Sequence, residues 1–145
     1  MTDTTDKFKV LKAVSEGSER WKVAFNTGDA AGCAAQYEDS VVMHTRPFGT
    51  FNGADDIKTF WQNLITDGYA EVEYIDPKIE VLDDKTAILT SRWRMNKASG
   101  VIHKELWAIQ EDGRAKICKG QVEGIDRDDV TGQSSFSHKI FRIAA

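Results

Sequence analysis

Residues 21–61 constrain the fold more than any other part of this 145-residue chain. They contain two helical patterns separated by Asn26-Thr27-Gly28-Asp29, because Gly adopts the left-handed backbone that ends a helix and Asp caps the start of the next one. The apolar run 41–45 then predicts a strand. After Gly49-Thr50-Phe51-Asn52-Gly53, residues 54–65 predict a third helix. The chain therefore opens with the order helix, helix, strand, helix.

The first helix is predicted to be long and amphipathic. Its apolar side chains recur at helical spacing, while charged side chains lie mostly on its other faces. Gly17 lies within this pattern and weakens the helix without ending it. The second helix is predicted over residues 30–37. The apolar positions of the first helix are Phe8, Leu11, Val14, Trp21 and Phe25.

The pattern changes from helices to strands after Gly68. The boundaries between the later strands carry turn residues, such as Asp76-Pro77 and Glu111-Asp112-Gly113. Helices followed by a run of long strands predict an α+β fold, in which helices cover one face of an antiparallel sheet. The predicted strands of this half are residues 69–76, 78–82, 86–95, 101–110 and 115–125.

Composition narrows the classes of function. A net charge of −4 argues against general nucleic-acid binding, which needs a basic surface. No apolar run approaches membrane-spanning length, and the acidic N-terminus lacks the features of a secretory signal, so we expect a cytoplasmic protein without membrane contact. Cys33 and Cys118 are expected to be buried thiols rather than a disulfide. The absence of a Cys/His cluster and of a Gly-rich phosphate loop predicts no metal and no cofactor.

Four features of the chain occur in a characteristic order. They are the helix-break-helix element 21–37, the Gly49-x-x-x-Gly53 turn, the Ile57-x-x-Phe60-Trp61 helix and the hairpin 104–117. Together they resemble the SnoaL-like, or nuclear transport factor 2-like, superfamily over about residues 8–125. The resemblance implies a curved antiparallel sheet that forms a cone-shaped barrel, covered by three N-terminal helices around a pocket for a small molecule. It also implies a homodimer packed through the outer sheet face.

This resemblance divides the chain into a domain, residues 1–126, and a C-terminal extension, residues 127–145. The extension is expected to add an edge strand, to contact a partner or to be partly disordered. Members of the superfamily include isomerases, epoxide hydrolases, dehydratases, polyketide cyclases and non-catalytic scaffolds. The fold therefore does not settle the function.

The catalytic groups of the best-known members are not found in this chain. The steroid isomerases use a Tyr on the first helix and two Asp residues on strands. The matching positions hold Trp21, Thr45 or Arg46, and Trp107. The Arg-x-Asp element of the epoxide hydrolases has its nearest match in Arg92-Trp93-Arg94, which lacks the carboxylate. The resemblance thus argues against both mechanisms here.

Polar groups in the later strands are the remaining candidates for chemistry. Strand alternation places His103, Glu105 and Trp107 on one face. The resemblance of the hairpin directs the Trp107 face and the Cys118 face toward the pocket, so His103 and Glu105 are predicted to point inward. A His fixed by a carboxylate is a common general base. His44 and Arg92 complete the predicted catalytic set.

Structural roles compete with these hypotheses. His103 and Glu105 would instead lie on a solvated outer face or in a dimer interface. Arg92 and Arg94 would form ion pairs with Glu105 or Glu73, or else clamp a carboxylate ligand. The residues predicted to bind the ligand, several of which also suit core packing, are Trp21, Phe25, Tyr37, Arg46, Trp61, Trp107, Cys118 and Val122.

Three hypotheses about function remain open at this point. The first is an enzyme, such as an isomerase, hydrolase or dehydratase, that transfers protons on a small apolar or carboxylate-bearing molecule without a cofactor. It predicts an apolar pocket with a perturbed ionisable group. The second is a binding module whose pocket lacks a base. The third is a dimeric assembly domain with a filled pocket and a large apolar interface.

Overall fold

The computed structural model describes residues 4–126 of the chain. The predicted C-terminal extension, residues 127–145, lies outside the described residues. No helix in this described part is both long enough and apolar enough to cross a membrane. The described elements are α1 (Thr4–Asn26), α2 (Ala30–Ala34), β1 (Tyr37–Arg46), β2 (Gly49–Asn52), α3 (Ala54–Thr66), β3 (Glu73–Val81), β4 (Thr86–Arg94), β5 (Ala98–Ile109) and β6 (Ala115–Asp126).

The strands form one curved, six-stranded sheet in the order β2-β1-β6-β5-β4-β3. α1 packs on β3, β4, β5 and β6, while α3 packs on β1 and β2. The predicted α+β class is therefore confirmed. One detail differs from the prediction, because β1 and β6 are parallel while the other neighbouring pairs are antiparallel. The chain can form this parallel pair since α3 and four strands connect the two.

Helix α1 continues through Gly17, as predicted. A Cβ atom at this position would lie 2.5 Å from Cζ3 of Trp107, so the missing side chain lets the indole of β5 pack against the helix. The buried side of α1 carries Val10 and Val14, whereas Phe8 and Leu11 are 65% and 39% exposed. The expectation that Phe8 and Leu11 face the core is therefore wrong, because the helix turns a neighbouring stripe toward the sheet.

The second helix is shorter than predicted. Asp29 caps it, since its carboxylate accepts a hydrogen bond from the Gly32 amide at 2.9 Å. The helix ends at Ala34 rather than residue 37 because the Gln36 carbonyl accepts a bond from the Ile117 amide, which draws the chain into the sheet. Tyr37 thereby becomes the first residue of β1.

The predicted strand 69–76 is also displaced. Residues 67–72 form a loop that side-chain amides hold in place. Asn26 exchanges two hydrogen bonds with the Val72 backbone, and Asn96 accepts from the Ala70 amide and donates to the Gly68 carbonyl. Strand β3 starts only at Glu73 and passes through Pro77, which an edge strand tolerates. The short strand β2 falls within the predicted Gly49–Gly53 turn and was missed, because its pattern is that of a turn.

Candidate functional site

A one-residue bulge in β5 decides which polar groups face the interior. Ile102 pairs with Val122 and Lys104 pairs with Gln121, so His103 is an extra residue between two neighbouring pairs. A bulge of this kind reverses the alternation of the side chains that follow it. Glu105 consequently faces the interior and His103 faces outward. The predicted inward orientation of Glu105 and Trp107 is confirmed, whereas that of His103 is wrong.

A cavity lies between the sheet and the helices. Its volume is about 40 Å³, counted as the space open to the centre of a water molecule, and it is partly open to solvent. This leaves room for a few water molecules, or for one end of a small ligand. Glu105 is the one ionisable carboxyl in a wall made mainly of apolar and aromatic groups. The lining residues are Trp21, Tyr37, Thr45, Phe60, Trp61, Leu64, Val72, Tyr74, Trp93, Met95, Ile102, Glu105, Val122 and Gly124.

The Glu105 carboxyl is held in this apolar wall by a single indole. Its neighbours across the sheet are Leu89 on β4 and Gly120 on β6, neither of which offers a polar side chain. Within the described residues, its one hydrogen bond comes from Trp107 Nε1 to Oε1 at 3.1 Å. Burial raises the pKa of Glu105 from 4.5 to about 7, although the Trp107 bond acts in the opposite direction. Both protonation states of Glu105 are therefore populated near neutral pH.

Two tyrosines share the cavity with Glu105. Tyr37 accepts a hydrogen bond from Trp61 Nε1 at 3.2 Å, and Tyr74 is hydrogen-bonded to Ser18. Burial raises the pKa of both phenols well above 10, and the negative charge of Glu105 raises them further. Both tyrosines therefore remain protonated, and their hydroxyl groups lie within electrostatic reach of the carboxyl.

Three polar atoms of cavity-lining residues have no hydrogen-bond partner within the described protein. They are the indole Nε1 atoms of Trp21 and Trp93 and the hydroxyl Oγ1 of Thr45. All three residues are more than nine-tenths buried. An unsatisfied buried donor costs about 1–3 kcal/mol, and folded proteins of this size tolerate a few such groups.

The other residues of the predicted catalytic set lie outside this cavity. His103 Nε2 contacts Glu123 Oε1 at 2.9 Å, and His44 Nδ1 contacts Thr50 Oγ1 at 2.7 Å. Arg92 forms an ion pair with Asp76 at 2.9 Å, so the prediction that it pairs with Glu105 is wrong. These side chains are exposed on the outer face. Arg94 forms an ion pair with Glu73, which is one of the two partners predicted from the sequence.

The predicted ligand-binding residues divide into three groups. Trp21, Tyr37, Trp61 and Val122 line the cavity, as predicted. Phe25 and Trp107 are buried but do not line it; Phe25 stacks on Trp21 with ring centroids 5.2 Å apart, and Trp107 bonds to Glu105. Arg46 is exposed and Cys118 is partly buried, and neither lines the cavity.

Cys118 is misplaced in the prediction for the same reason as His103. Leu106 pairs with Lys119 while Trp107 pairs with Ile117, so Cys118 is an extra residue in β6. Its thiol donates to the Leu106 carbonyl at 3.3 Å, and burial raises its pKa. Cys33 is fully buried and has a pKa raised to about 12, mainly by burial. Both cysteines are free thiols, as predicted.

Sequence reasoning missed several lining residues, above all Thr45, Tyr74 and Trp93. A signal for the bulges was nevertheless present. Ile102 and Trp107 are five residues apart, so regular alternation cannot bury both. The same odd spacing separates Ile117 from Val122. Each pair of bulky residues indicates an extra residue between its members, and the structure places one in each interval.

Within residues 4–126, no three His, Cys, Asp or Glu side chains come together in a group that could hold a metal ion. The predicted homodimer through the outer sheet face stays a prediction.

Comparisons with known proteins were consistent with this architecture. Residues 18–126 match the family model for the SnoaL-like domain. A protein from Novosphingobium aromaticivorans, provisionally named scytalone dehydratase, has a similar structure, with a TM-score of 0.70 and 14% identity over 83% of this chain and 87% of that chain. A ketosteroid isomerase-like protein from Erwinia carotovora atroseptica gives a TM-score of 0.68 and 14% identity, over 79% of this chain and 95% of that chain.

An NTF-2-like protein of unknown function from Shewanella oneidensis gives a TM-score of 0.65 and 18% identity, over 78% of this chain and 98% of that chain. A search of curated proteins gives no match. At these identities the structural likeness shows the fold alone.

Proposed function

Because this chain belongs to the SnoaL-like domain family, we propose that its cavity binds a small, uncharged, largely apolar molecule on which Glu105 transfers a proton. This is the step shared by isomerases, dehydratases and hydrolases that act by acid–base chemistry. A protein carboxyl performs it without a bound cofactor. The observation that carries the proposal is a buried carboxyl with a pKa of about 7 in the wall of an apolar cavity.

The pKa of Glu105 suits a group that must both take up and release a proton. A general base or acid is most effective when its pKa lies near the working pH. Burial among aromatic side chains produces this value, and the Trp107 bond fixes the position of one carboxyl oxygen. The names of two structural neighbours, a dehydratase and an isomerase-like protein, are compatible with the same chemistry.

The charge of the cavity argues for a neutral ligand. None of the described residues that line it is Lys, Arg or His, so no cation in this part of the wall would compensate a carboxylate on the ligand. An ionised Glu105 would repel such a ligand as well. Arg92 and Arg94, the predicted clamp, have carboxylate partners on the outer face. We therefore favour the apolar ligand over the carboxylate-bearing one.

The proposal is tested with a carbon acid of suitable size, 1-nitropropane, in D₂O. The Glu105 carboxylate would remove a proton from the carbon that carries the nitro group, and the electron pair would move to the nitro oxygens. The carboxyl would exchange this proton for a deuteron of D₂O and then return the deuteron to the carbon. Proton NMR follows the loss of the C–H signal. We expect Glu105→Gln to lower the protein-catalysed rate at least about 100-fold, and the wild-type rate to rise with pH and level off above about 7.

The matched control is His103→Gln, on the same strand but on the outer face, which should leave the rate unchanged. Equal rates in the wild type and Glu105→Gln would refute proton transfer by Glu105. Binding of small neutral molecules without any exchange would instead support the non-catalytic binding module.

A further inference from the structure

Two irregular segments contribute to the wall of the cavity, whereas its other described lining residues belong to helices or strands. One is the loop 67–72 between α3 and β3, hereafter the strap, which supplies Val72. The other is the turn 95–97 between β4 and β5, which supplies Met95. Because backbone hydrogen bonds hold helices and strands in place, the wall can widen most easily where these two segments meet.

Two asparagines anchor the strap. Asn96, in the turn, accepts a hydrogen bond from the Ala70 amide at 2.9 Å and donates from its side chain to the Gly68 carbonyl at 2.9 Å. Its backbone amide also donates to the Ala70 carbonyl at 3.0 Å. Asn26, at the end of α1, accepts from the Val72 amide at 2.7 Å and donates to the Val72 carbonyl at 3.0 Å. The strap is therefore fastened at two separate points, mainly by side chains.

An exposed lysine adds a third attachment. Lys97 Nζ donates to the Asp67 carbonyl at 2.7 Å and lies 4.6 Å from the centre of the Tyr69 ring. Between the two asparagine anchors, Glu71 has a φ of 62°, in the left-handed region that residues other than glycine rarely adopt. The attachments therefore hold part of the strap in an unfavourable backbone conformation, and their release would let it relax.

We infer that the strap opens as one unit to admit small molecules to the cavity, with Asn26 and Asn96 as the latches that keep it closed. The closed cavity has a volume of about 40 Å³, so a larger molecule enters only if part of the wall moves. Movement of the strap removes Val72 from the wall and leaves the sheet intact, because β3 starts only at Glu73. The inference rests on the proposed function only in assuming that a molecule enters the cavity.

Amide hydrogen exchange tests whether the strap opens as one unit. The Ala70 amide is bonded to Asn96, whereas the Val72 amide is bonded to Asn26. In Asn96→Ala, both amides should exchange about tenfold faster, the factor for loss of a typical hydrogen bond. Faster exchange of the Ala70 amide alone would overturn the opening as one unit. Asn52→Ala, at an exposed position of β2, is the matched control and should leave both rates unchanged.

Cysteine labelling tests whether this opening reaches the cavity. Val72→Cys, on the strap, and Ile102→Cys, in the β5 part of the wall, are made in a chain whose two native cysteines are replaced by alanine. The probe is methyl methanethiosulfonate, a small neutral thiol reagent. Both cysteines should react faster than Leu89→Cys, which is 1% exposed, lies away from the cavity lining and reports global unfolding. Asn96→Ala should accelerate both by about tenfold relative to Leu89→Cys.

A milder variant keeps the test valid if Asn96→Ala does not fold. Lys97→Met removes an exposed attachment and should accelerate the labelling of Val72→Cys by about threefold. Lys85→Met, at an exposed position of the turn before β4, is its matched control and should have no effect.

Equal labelling rates for Val72→Cys and Leu89→Cys would overturn the inference, because the strap would then open only on unfolding. Labelling of Val72→Cys without Ile102→Cys would also overturn it, since the strap would move without giving access to the cavity. Neither measurement uses a ligand or Glu105. Failure of the nitropropane assay is therefore distinguishable from failure of the strap to open.

Discussion

Glu105 and His103 lie two residues apart on β5, yet they occupy opposite environments. Glu105 is 9% exposed in the cavity wall, and burial raises its pKa to about 7. The side chain of His103 is 45% exposed on the outer face and contacts Glu123. By residue type, His103 is the more obvious proton-transfer group near neutral pH. Position relative to the sheet, set by one bulge, therefore decides which of the two side chains faces the cavity.

The two faces also differ in how they satisfy polar groups. On the outer face, Arg92, Arg94, His44 and His103 each have a partner on a neighbouring strand or segment. Around the cavity, three deeply buried residues have an unpaired polar atom. The charged groups of the outer face are therefore paired at the solvated surface, whereas the inner face keeps polar atoms buried without a partner among the described residues.

The largest difference between the faces should appear on truncating Trp107. This side chain is 1% exposed, packs against Gly17 and holds Glu105. Trp107→Ala should lower the free energy of unfolding by about 4 kcal/mol, the usual cost of an emptied aromatic site. Urea unfolding measures it. The matched control is its neighbour on the other face, Leu106→Ala, for which we expect about 1 kcal/mol. Similar losses in both variants would contradict the distinction between the faces.

The next largest effect concerns the pH dependence of stability. The folded-state pKa of Glu105 lies above its ordinary value of 4.5, so the folded state binds the proton more tightly than the unfolded state. The stabilisation from neutral Glu105 is complete below about pH 4.5 and is lost as the pH rises through about 7. A rise of this size corresponds to about 3 kcal/mol.

Urea unfolding between about pH 4 and pH 8 measures this stabilisation as the difference between the wild type and Glu105→Gln. Glu105→Gln should be the relatively more stable protein at the upper end. Parallel curves for the wild type and Glu105→Gln would show that Glu105 titrates at its ordinary pKa, and would remove the support for its catalytic role.

The smallest effects are expected on the outer face. His103→Gln and Arg92→Gln break pairs whose side chains are about half exposed, and exposed ion pairs contribute little because water screens them. Each variant should change the free energy of unfolding by less than about 0.5 kcal/mol. Thermal unfolding at two salt concentrations measures this. A loss comparable to that of Trp107→Ala would mean that the outer face is buried in solution, as the predicted homodimer requires.

Much of the fold could be predicted from local sequence signals. Gly28 and Asp29 marked the break between the first two helices, and the third helix was predicted to within one residue of its end. The long strands β4, β5 and β6 were also located correctly. These features depend on propensities and periodicity within a short window, which the chain carries wherever it folds.

The cavity could be predicted only in part. Trp21, Tyr37, Trp61 and Val122 were identified through the resemblance of their segments to a known fold, whereas Trp93, Tyr74 and Thr45 were not. Trp93 lies between Arg92 and Arg94. The prediction assigned ion pairs or ligand binding to these two arginines, which lie on the opposite face of β4. Which residues of five strands and two helices meet around one cavity depends on the register of the sheet, and a single extra residue in a strand reverses its faces.

The sequence by itself determined most of the elements, their order and the class of fold, because helix ends, turns and alternation are local properties of the chain. Tertiary structure alone decided that β1 lies parallel to β6, that His103 and Cys118 are bulged, and that Glu105 is buried among aromatic rings. The pKa of Glu105 is also decided by the tertiary structure. It is set by the removal of water, and the groups that exclude that water come from helices and strands far apart in the sequence.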